Sequence, residues 1–215
     1  MRLLYLNPNS TASMTDGIVA VARSAAPDAE VVGWTNDGAP PAIQGAEDGE
    51  AAVPGLLSML PAARNAGADA IVIACFDDTG LAQVRAEAHC PVIGIGQSAY
   101  HVAALLGRPF VVLTTLNVSV PVIAANVAAS GVSDACLGVR ASGIPVLDVD
   151  AGTDEVIGRL ADHVLAAGRN GAGSVVLGCA GMAPHLDRIA RPGAPLLIDG
   201  VRASARLAGL LASLA

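Results

Sequence analysis

The amino-acid sequence predicts an α/β fold of two flavodoxin-like lobes related by pseudo-twofold symmetry, each a four-stranded parallel sheet flanked by helices. Three observations lead to this prediction. Short apolar runs alternate with Ala-rich helical stretches, which is the pattern of parallel βαβ units. The runs are apolar throughout, as expected of strands covered on both faces. Polar landmarks of the first half recur in the second half.

Strands and helices are predicted in alternation along the whole chain. The strands are predicted at 2–6, 30–34, 70–74, 92–95, 110–114, 135–140, 174–178 and 195–198. The helices are predicted at 12–25, 49–66, 81–88, 98–106, 119–129, 154–167 and 201–212. Aromatic residues make up only 2% of the chain, so small aliphatic residues are expected to form the core.

Two landmarks repeat at nearly the same spacing. Asn9 follows the first predicted strand and Asn117 follows the fifth, 108 residues later. Cys75 follows the third and Cys179 follows the seventh, 104 residues later. This repetition indicates an internal duplication. We therefore predict an N-terminal lobe at 1–97, completed by a helix at 200–215 that crosses back to it, and a C-terminal lobe at 98–199.

The composition argues against several classes of partner. The chain has 215 residues and a net charge of −7, which repels the phosphates of nucleic acid. No apolar run reaches the roughly 18 residues of a membrane span, so no membrane partner is expected. The apolar start at 1–6 is too short for a signal peptide, which predicts a cytoplasmic protein with reduced thiols.

The basic residues and the cysteines exclude further kinds of chemistry. All 12 basic residues are Arg, so a Schiff-base lysine and a Walker A phosphate loop are excluded. The four cysteines contain no Cys-x-x-Cys pair, so no metal site is expected. We predict an enzyme that works without a cofactor or a metal.

Cys75 and Cys179 are the predicted catalytic residues. Ligands bind beyond the carboxyl ends of the strands in open parallel sheets, and both thiols are predicted to lie there. Each is expected to have a lowered pKa, because a helix N-terminus with free N–H groups favours the thiolate. Cys90 and Cys136 do not end a strand beside a Gly-bearing turn, so they are interpreted as structural residues.

A symmetric pair of thiols suits racemisation. If the two lobes face each other, one thiolate removes a proton from a carbon acid and the opposite thiol returns a proton to its other face. The backbone N–H groups after each cysteine would stabilise the enolate oxygen.

Other polar residues near the predicted site have two interpretations. Four of them follow strand ends, where they would either bind substrate or cap a turn: Asn9, Thr114, Thr115 and Asn117. Asp77 and Asp78 are interpreted as caps of the following helix, and His185 as a surface or capping residue.

Four stretches of the sequence resemble the Asp/Glu/hydantoin racemase superfamily, and the resemblance extends over essentially the whole chain. They are 6–11 (LNPNST), 75–81 (CFDDTGL), 94–96 (GIG) and 177–182 (LGCAGM). The nearest likeness is to hydantoin racemases and their allantoin racemase relatives. The two cysteine motifs taken together are fairly specific.

The resemblance implies a two-base racemase that acts at C5 of a 5-substituted hydantoin. Cys75 and Cys179 match the catalytic cysteines of the family. The implied substrate contacts are the backbone around Phe76, Asp77, Ala180 and Gly181, the pocket wall at Ile43, and the polar side chains of Asn9, Thr115 and Asn117. The expected partners are a small cyclic amide and further copies of the chain in a homo-oligomer.

Three alternatives stay open at this point. Allantoin is an alternative substrate. A maleate-type cis–trans isomerase would use the same cysteine pair by adding one thiolate to a double bond, although no Arg lies next to either motif. A small-ligand binding protein would leave the matched thiols unexplained. Amino-acid racemases of the superfamily usually have Cys-Asn-Thr where this chain has Cys75-Phe76-Asp77, which favours a neutral cyclic amide.

Overall fold

The computed structural model describes residues 1–214, which form two four-stranded parallel sheets with helices packed on them. The strands lie close to their predicted positions. In chain order they are β1 Arg2–Asn7, β2 Glu30–Thr35, β3 Ala70–Ile73, β4 Val92–Gly94, β5 Phe110–Thr114, β6 Cys136–Ala141, β7 Ser174–Gly178 and β8 Leu196–Asp199.

Helices connect the strands throughout the described residues. The α-helices are α1 Ala12–Ala25, α2 Ala46–Asn65, α3 Leu81–Glu87, α4 Ile95–Leu105, α5 Val120–Ala129, α6 Val146–Ala151, α7 Asp154–Arg169, α8 Leu186–Ile189 and α9 Gly200–Ala212. Short 3-10 helices lie at Asn117–Ser119, Ser133–Ala135 and Ala180–His185. Within residues 1–214, no helix combines the length and the apolar character of a membrane span.

The strand order is the same in the two sheets, β2-β1-β3-β4 in the first and β6-β5-β7-β8 in the second. All neighbouring strands are parallel, so each connection crosses over the sheet. This is the flavodoxin-like order without its fifth strand. The predicted fold class of two four-stranded parallel sheets flanked by helices is confirmed.

Strand register relates the two sheets residue by residue. In the first sheet Leu6 pairs with Ile73, and in the second Leu113 pairs with Leu177. These pairs lie at the same place in the two strand orders, near the carboxyl ends of the central strands. The register therefore defines which residue of one half is equivalent to which residue of the other.

Helices α4 and α9 join the two halves. Helix α9 follows the last strand of the second sheet but packs against α1 and β3 of the first half, and α4 contacts β7 of the second half. The two helices also pack on each other. Because α4 runs across residue 97, the lobe boundary proposed there stays a prediction.

Three elements differ from the sequence-based expectation. Strand β6 lies at the edge of its sheet and is only partly buried, with Arg140 exposed, so the fully apolar pattern does not hold there. Helix α2 begins at Ala46 and continues through Pro54 and Pro61. Helix α6 and the helical turns at 180–189 lie outside the predicted helices, and both segments contribute to the site described next.

Candidate active site

A cavity of about 20 Å³ lies between the two sheets, at the carboxyl ends of the central strands. Of the four cysteines, Cys75 and Cys179 line it and the other two do not. The remaining lining residues are Asn9, Met14, Ile43, Ala74, Phe76, Asp77, Thr114, Thr115, Ser119, Val146, Gly178 and Ala180. This volume holds about one water molecule. Cys179 is buried beside the cavity, whereas Cys75 keeps partial exposure to solvent.

The two cysteines occupy equivalent turns. Each lies two residues beyond a paired position of its central strand, β3 for Cys75 and β7 for Cys179. The turns close with the same backbone hydrogen bond, since the Asp78 N–H donates to the Cys75 carbonyl and the Met182 N–H to the Cys179 carbonyl, each at 3.0 Å. The duplicated fold therefore presents one thiol from each half to a common cavity.

Different donors approach the two sulfur atoms. The hydroxyl of Thr79 donates to Cys75 Sγ at 3.5 Å, and the backbone N–H of Asp77 also acts to lower the pKa of this thiol. At Cys179 the N–H groups of Gly181 and Met182, in the first turn of a 3-10 helix, favour the thiolate and lower the pKa.

Burial raises the pKa of both thiols. At Cys75 burial is the largest cause, and the carboxyl of Asp77 raises the pKa further. At Cys179 burial raises the pKa to about 12, although two backbone N–H groups act in the opposite direction. The expectation of lowered thiol pKa values is wrong, because the loss of water outweighs the stabilisation by nearby donors. Both thiols are therefore protonated at neutral pH.

Asp77 supplies the other ionisable side chain of the cavity lining. The Ser119 hydroxyl donates to Asp77 Oδ2 at 3.2 Å, and Asn126 Nδ2 donates to the Asp77 backbone carbonyl at 2.8 Å. Burial raises the pKa of the Asp77 carboxyl to about 7, against a smaller lowering by the Ser119 hydroxyl. Its side chain caps no helix, which corrects that interpretation of Asp77.

Asp78 caps a different helix from the predicted one. Its carboxylate accepts the N–H groups of Gly96 and Gln97, at 3.0 and 2.7 Å, in the first turn of α4. Helix α3, which follows the cysteine turn, begins after Gly80 and has no side-chain cap. A Cβ at Gly94 would overlap the Asp78 carboxylate, so glycine at this strand end makes room for the cap.

Six of the eight predicted substrate-binding residues line the cavity: Asn9, Ile43, Phe76, Asp77, Thr115 and Ala180. The other two lie outside the lining. Gly181 packs against Asp150 of α6, and Asn117 is exposed at the start of a 3-10 helix. The strand register also makes Leu116 the equivalent of Asn9. Substrate contacts by Gly181 and Asn117 stay predictions that this geometry does not support.

Asn9 presents a hydrogen-bond donor to the cavity. Its Oδ1 accepts from Asn7 Nδ2 and from the Thr11 N–H, both at 2.9 Å, which fixes the orientation of the amide. Its Nδ2 lies 3.2 Å from Met14 Sδ, a weak acceptor. The amide therefore donates only to a weak acceptor, which a stronger acceptor such as a carbonyl oxygen can replace.

Five lining residues are absent from the sequence-based site: Met14, Ala74, Ser119, Val146 and Gly178. Gly178 has a local signal, because it ends a strand directly before Cys179, and a Cβ there would lie 2.7 Å from the Leu113 carbonyl oxygen. Val146 belongs to α6 and has no such signal. Its N–H donates to Gln44 Oε1 at 3.3 Å, which joins the segment before α2 to the second half beside the cavity.

The cavity lining carries no positive charge. It contains no Arg and no His, and the chain contains no Lys. Within residues 1–214, no group of three or more His, Cys, Asp or Glu side chains could hold a metal ion. A carboxylate ligand would meet no cation here and would lie beside Asp77, so the charge of the cavity favours a neutral ligand.

The chain matches a family model described as Asp/Glu/Hydantoin racemase over residues 3–208. The hydantoin racemase of Rhizobium meliloti is 39% identical to it over 213 residues, which are 98% of this chain and 88% of that protein.

Two solved structures are similar over the full length of the chain. The allantoin racemase from Klebsiella pneumoniae has a TM-score of 0.92 at 32% identity, covering 100% of this chain and 88% of that one. The allantoin racemase from Pseudomonas fluorescens has a TM-score of 0.90 at 30% identity, covering 100% of this chain and 92% of that one. The similarity extends over both sheets and both cysteine turns.

Proposed function

The chain belongs to the Asp/Glu/hydantoin racemase family, and on that premise we propose that it inverts C5 of 5-substituted hydantoins by proton transfer between Cys75 and Cys179. It is a racemase, and hence an isomerase, of the hydantoin and allantoin type. One observation carries the proposal: two thiols at equivalent strand ends line a single cavity whose lining has no cationic side chain.

The reaction needs one thiolate and one thiol on opposite faces of the ring. The proton on C5 is acidic because the neighbouring carbonyl accepts the electron pair of the broken C–H bond as an enolate. One cysteine, as thiolate, takes this proton and becomes a thiol. The other cysteine donates its proton to the opposite face of C5 and becomes a thiolate. The substrate keeps its composition and changes only its configuration.

Hydrogen-bond donors around the cavity suit the enolate oxygen. Asn9 lines the cavity with an amide Nδ2 that donates only to Met14 Sδ, and Phe76 and Ala180, in the turns after the two cysteines, also line it. Donors that are already oriented stabilise the developing negative charge most effectively, and loss of one typically costs about 100- to 1,000-fold in rate.

The charge of the site selects among substrate classes. Free amino acids and dicarboxylates such as maleate carry carboxylates, which would lie beside Asp77 without a compensating Arg or Lys. A hydantoin ring is neutral and offers two carbonyl acceptors and ring N–H donors. This difference favours a cyclic amide and disfavours the isomerase alternative.

Allantoin is the second candidate substrate. It contains the same hydantoin ring with a ureido group on C5, so the proton transfers would be identical. The similarity to two allantoin racemase structures favours allantoin as the substrate. The sequence similarity to a hydantoin racemase favours hydantoins with simpler C5 substituents equally strongly.

The test is racemisation of single enantiomers in deuterated water. We expect each enantiomer of allantoin or of a 5-alkyl or 5-benzyl hydantoin to lose optical rotation while deuterium enters at C5, as measured by polarimetry and proton NMR. Aspartate, glutamate and maleate serve as controls and should remain unchanged. Absence of exchange with every hydantoin, or conversion of a control substrate, would refute the proposal.

A further inference from the structure

The two thiols alone do not explain how the site obtains a thiolate. Burial raises the pKa of both, so both hold their protons at neutral pH. The proton that leaves a thiol needs an acceptor at the cavity. Asp77 is the one lining residue, apart from the cysteines, whose side chain can accept a proton at neutral pH.

The surroundings of Asp77 suit this role. The Ser119 hydroxyl donates to Oδ2 at 3.2 Å, whereas no donor within residues 1–214 hydrogen-bonds to Oδ1. The backbone carbonyl of Asp77 is held by Asn126, so the turn is anchored while one carboxyl oxygen stays available. The carboxyl raises the pKa of Cys75 and also that of Cys179, which places it within electrostatic reach of both sulfur atoms.

The carboxyl is present in only one of the two halves. Position 181, the equivalent of 77 in the second turn, is a glycine. A single carboxyl in the lining shared by both thiols is available to either of them, which suits a racemase because each turnover leaves the thiolate on the opposite cysteine.

We propose that Asp77 holds the negative charge of the resting site and accepts the proton of a thiol when that thiol becomes the base. This inference rests on the proposed racemase function. In the step, the S–H bond of a cysteine breaks, its electron pair stays on sulfur, and the proton forms an O–H bond on the Asp77 carboxylate. The substrate ring then faces one thiolate, one thiol and a neutral carboxyl that can donate to a ring carbonyl.

Four ionisable side chains face Asp77. They are Cys75 and Asp78 from its own turn, Cys179 from the second turn and Tyr100 from α4. Burial raises the pKa of Asp78 to about 8 and that of Tyr100 well above its ordinary value. Burial raises the pKa of Asp77 itself to about 7, and Asp77 is the carboxyl of this group that lines the cavity.

The proposal fixes the shape of the pH profile. The resting form with an Asp77 carboxylate and the reactive form with a thiolate contain the same number of protons, so their ratio does not change with pH. The rate constant kcat/KM should therefore rise with pH only until Asp77 has lost its proton, and then level off near pH 7. Without an ionisable group at position 77, it should continue to rise toward the thiol pKa.

The first experiment compares the pH profiles of the wild type and Asp77→Asn between pH 6 and pH 9.5, after subtraction of the uncatalysed exchange. From pH 7 to pH 9 we expect kcat/KM to rise about twofold in the wild type and about 100-fold in the variant. The matched control is Asp150→Asn, which removes a carboxyl near Cys179 that does not line the cavity, and it should keep the levelling near pH 7. A wild-type profile that rises continuously, or an Asp77→Asn profile that levels off near pH 7, overturns the proposal.

A second experiment needs no substrate. Alkylation of each cysteine by iodoacetamide at pH 8.5 is followed by peptide mass spectrometry, with Cys90 and Cys136 as internal controls. Asp77→Asn should accelerate the reaction of both Cys75 and Cys179 about tenfold, whereas Asp150→Asn should accelerate Cys179 alone. If these shifts appear but no hydantoin is racemised, the proposed function fails and the charge coupling stands. If racemisation occurs and Asp77→Asn leaves both cysteines unchanged, the Asp77 inference fails.

Discussion

The turns after β3 and β7 are equivalent in position and different in chemistry. Both place a thiol two residues beyond a paired strand residue and close with the same backbone hydrogen bond. The first turn continues with two carboxyls, Asp77 and Asp78, whereas the second continues with Ala180 and Gly181 and offers only backbone donors. The duplication has therefore kept the geometry of the thiols while the groups around them have diverged.

If the two thiols share one reaction as proposed, this difference means that they are not interchangeable. After burial, the largest influence on the Cys179 pKa is the Gly181 N–H, which lowers it, whereas the largest influence on the Cys75 pKa is the Asp77 carboxyl, which raises it. The same carboxyl also raises the pKa of Cys179. The second half therefore supplies the better environment for a thiolate, and the first half supplies the carboxyl that we propose as the proton acceptor.

Replacement of either cysteine should have the largest effect. We expect Cys75→Ser and Cys179→Ser each to lower kcat/KM for racemisation by at least about 1,000-fold, or about 4 kcal/mol, because each removes one of the two proton-transfer groups. If the turns act as a pair, the double variant should be little worse than either single one. Cys90→Ser and Cys136→Ser are the matched controls, and retained racemisation in either catalytic single variant would contradict the pairing.

Replacement of the residues that cap helices α4 and α9 should have an intermediate effect, on the free energy of unfolding. Asp78 caps α4 from a neighbouring turn, whereas Asp199 caps α9 from the position directly before the helix. Asp78 also has a φ of 50°, in the left-handed region that Ala tolerates poorly. We expect Asp78→Ala to lower the free energy of unfolding by about 2–3 kcal/mol and Asp199→Ala by about 1–2 kcal/mol.

Urea unfolding followed by the fluorescence of Trp34, the single tryptophan, measures both losses. Asp78→Asn is the control, because Asn keeps an oxygen acceptor and adopts positive φ more readily than Ala. It should lose less stability than Asp78→Ala. An equal loss in Asp78→Ala and Asp199→Ala would show that the strained backbone at position 78 contributes nothing.

The smallest effect is expected where the second half buries an unpaired hydroxyl. Ser174 in β7 is fully buried and its hydroxyl has no hydrogen-bond partner within the described residues, while its equivalent in β3 is Ala70. We expect Ser174→Ala to raise the free energy of unfolding by up to about 1 kcal/mol, because it removes an unsatisfied polar group. Thr114→Val is the contrast, since its hydroxyl donates to the Gly178 carbonyl at 3.1 Å and its loss should be destabilising.

The fold class and the strand-end positions of the thiols could be predicted because both depend on local pattern. Apolar runs mark the strands, and the residues that follow them fall at the same edge of a parallel sheet. The predicted equivalence of Asn9 and Asn117 is wrong by one residue, because the strand register makes Leu116 the equivalent of Asn9. Counting residues along the chain misses this, since the connections between strands differ in length between the two halves.

The remaining features depend on contacts between distant segments. Val146 lies at the cavity in a helix that no periodic pattern of the sequence predicts. Ser119 belongs to the site because its hydroxyl donates to Asp77 of the other half. The predicted direction of the thiol pKa shifts is wrong for the same reason. Local donors can be inferred from a turn, whereas loss of water depends on both halves closing over the sulfur atoms.

The unequal exposure of the two thiols affects the timing of isotope exchange. Cys179 is buried, whereas Cys75 keeps partial contact with solvent. The hydrogen on the Cys179 sulfur should therefore exchange with bulk water more slowly than the hydrogen on the Cys75 sulfur. Under a rapid switch from light to heavy water, the first product that receives its proton from Cys179 should carry more of the original isotope than the first product that receives its proton from Cys75.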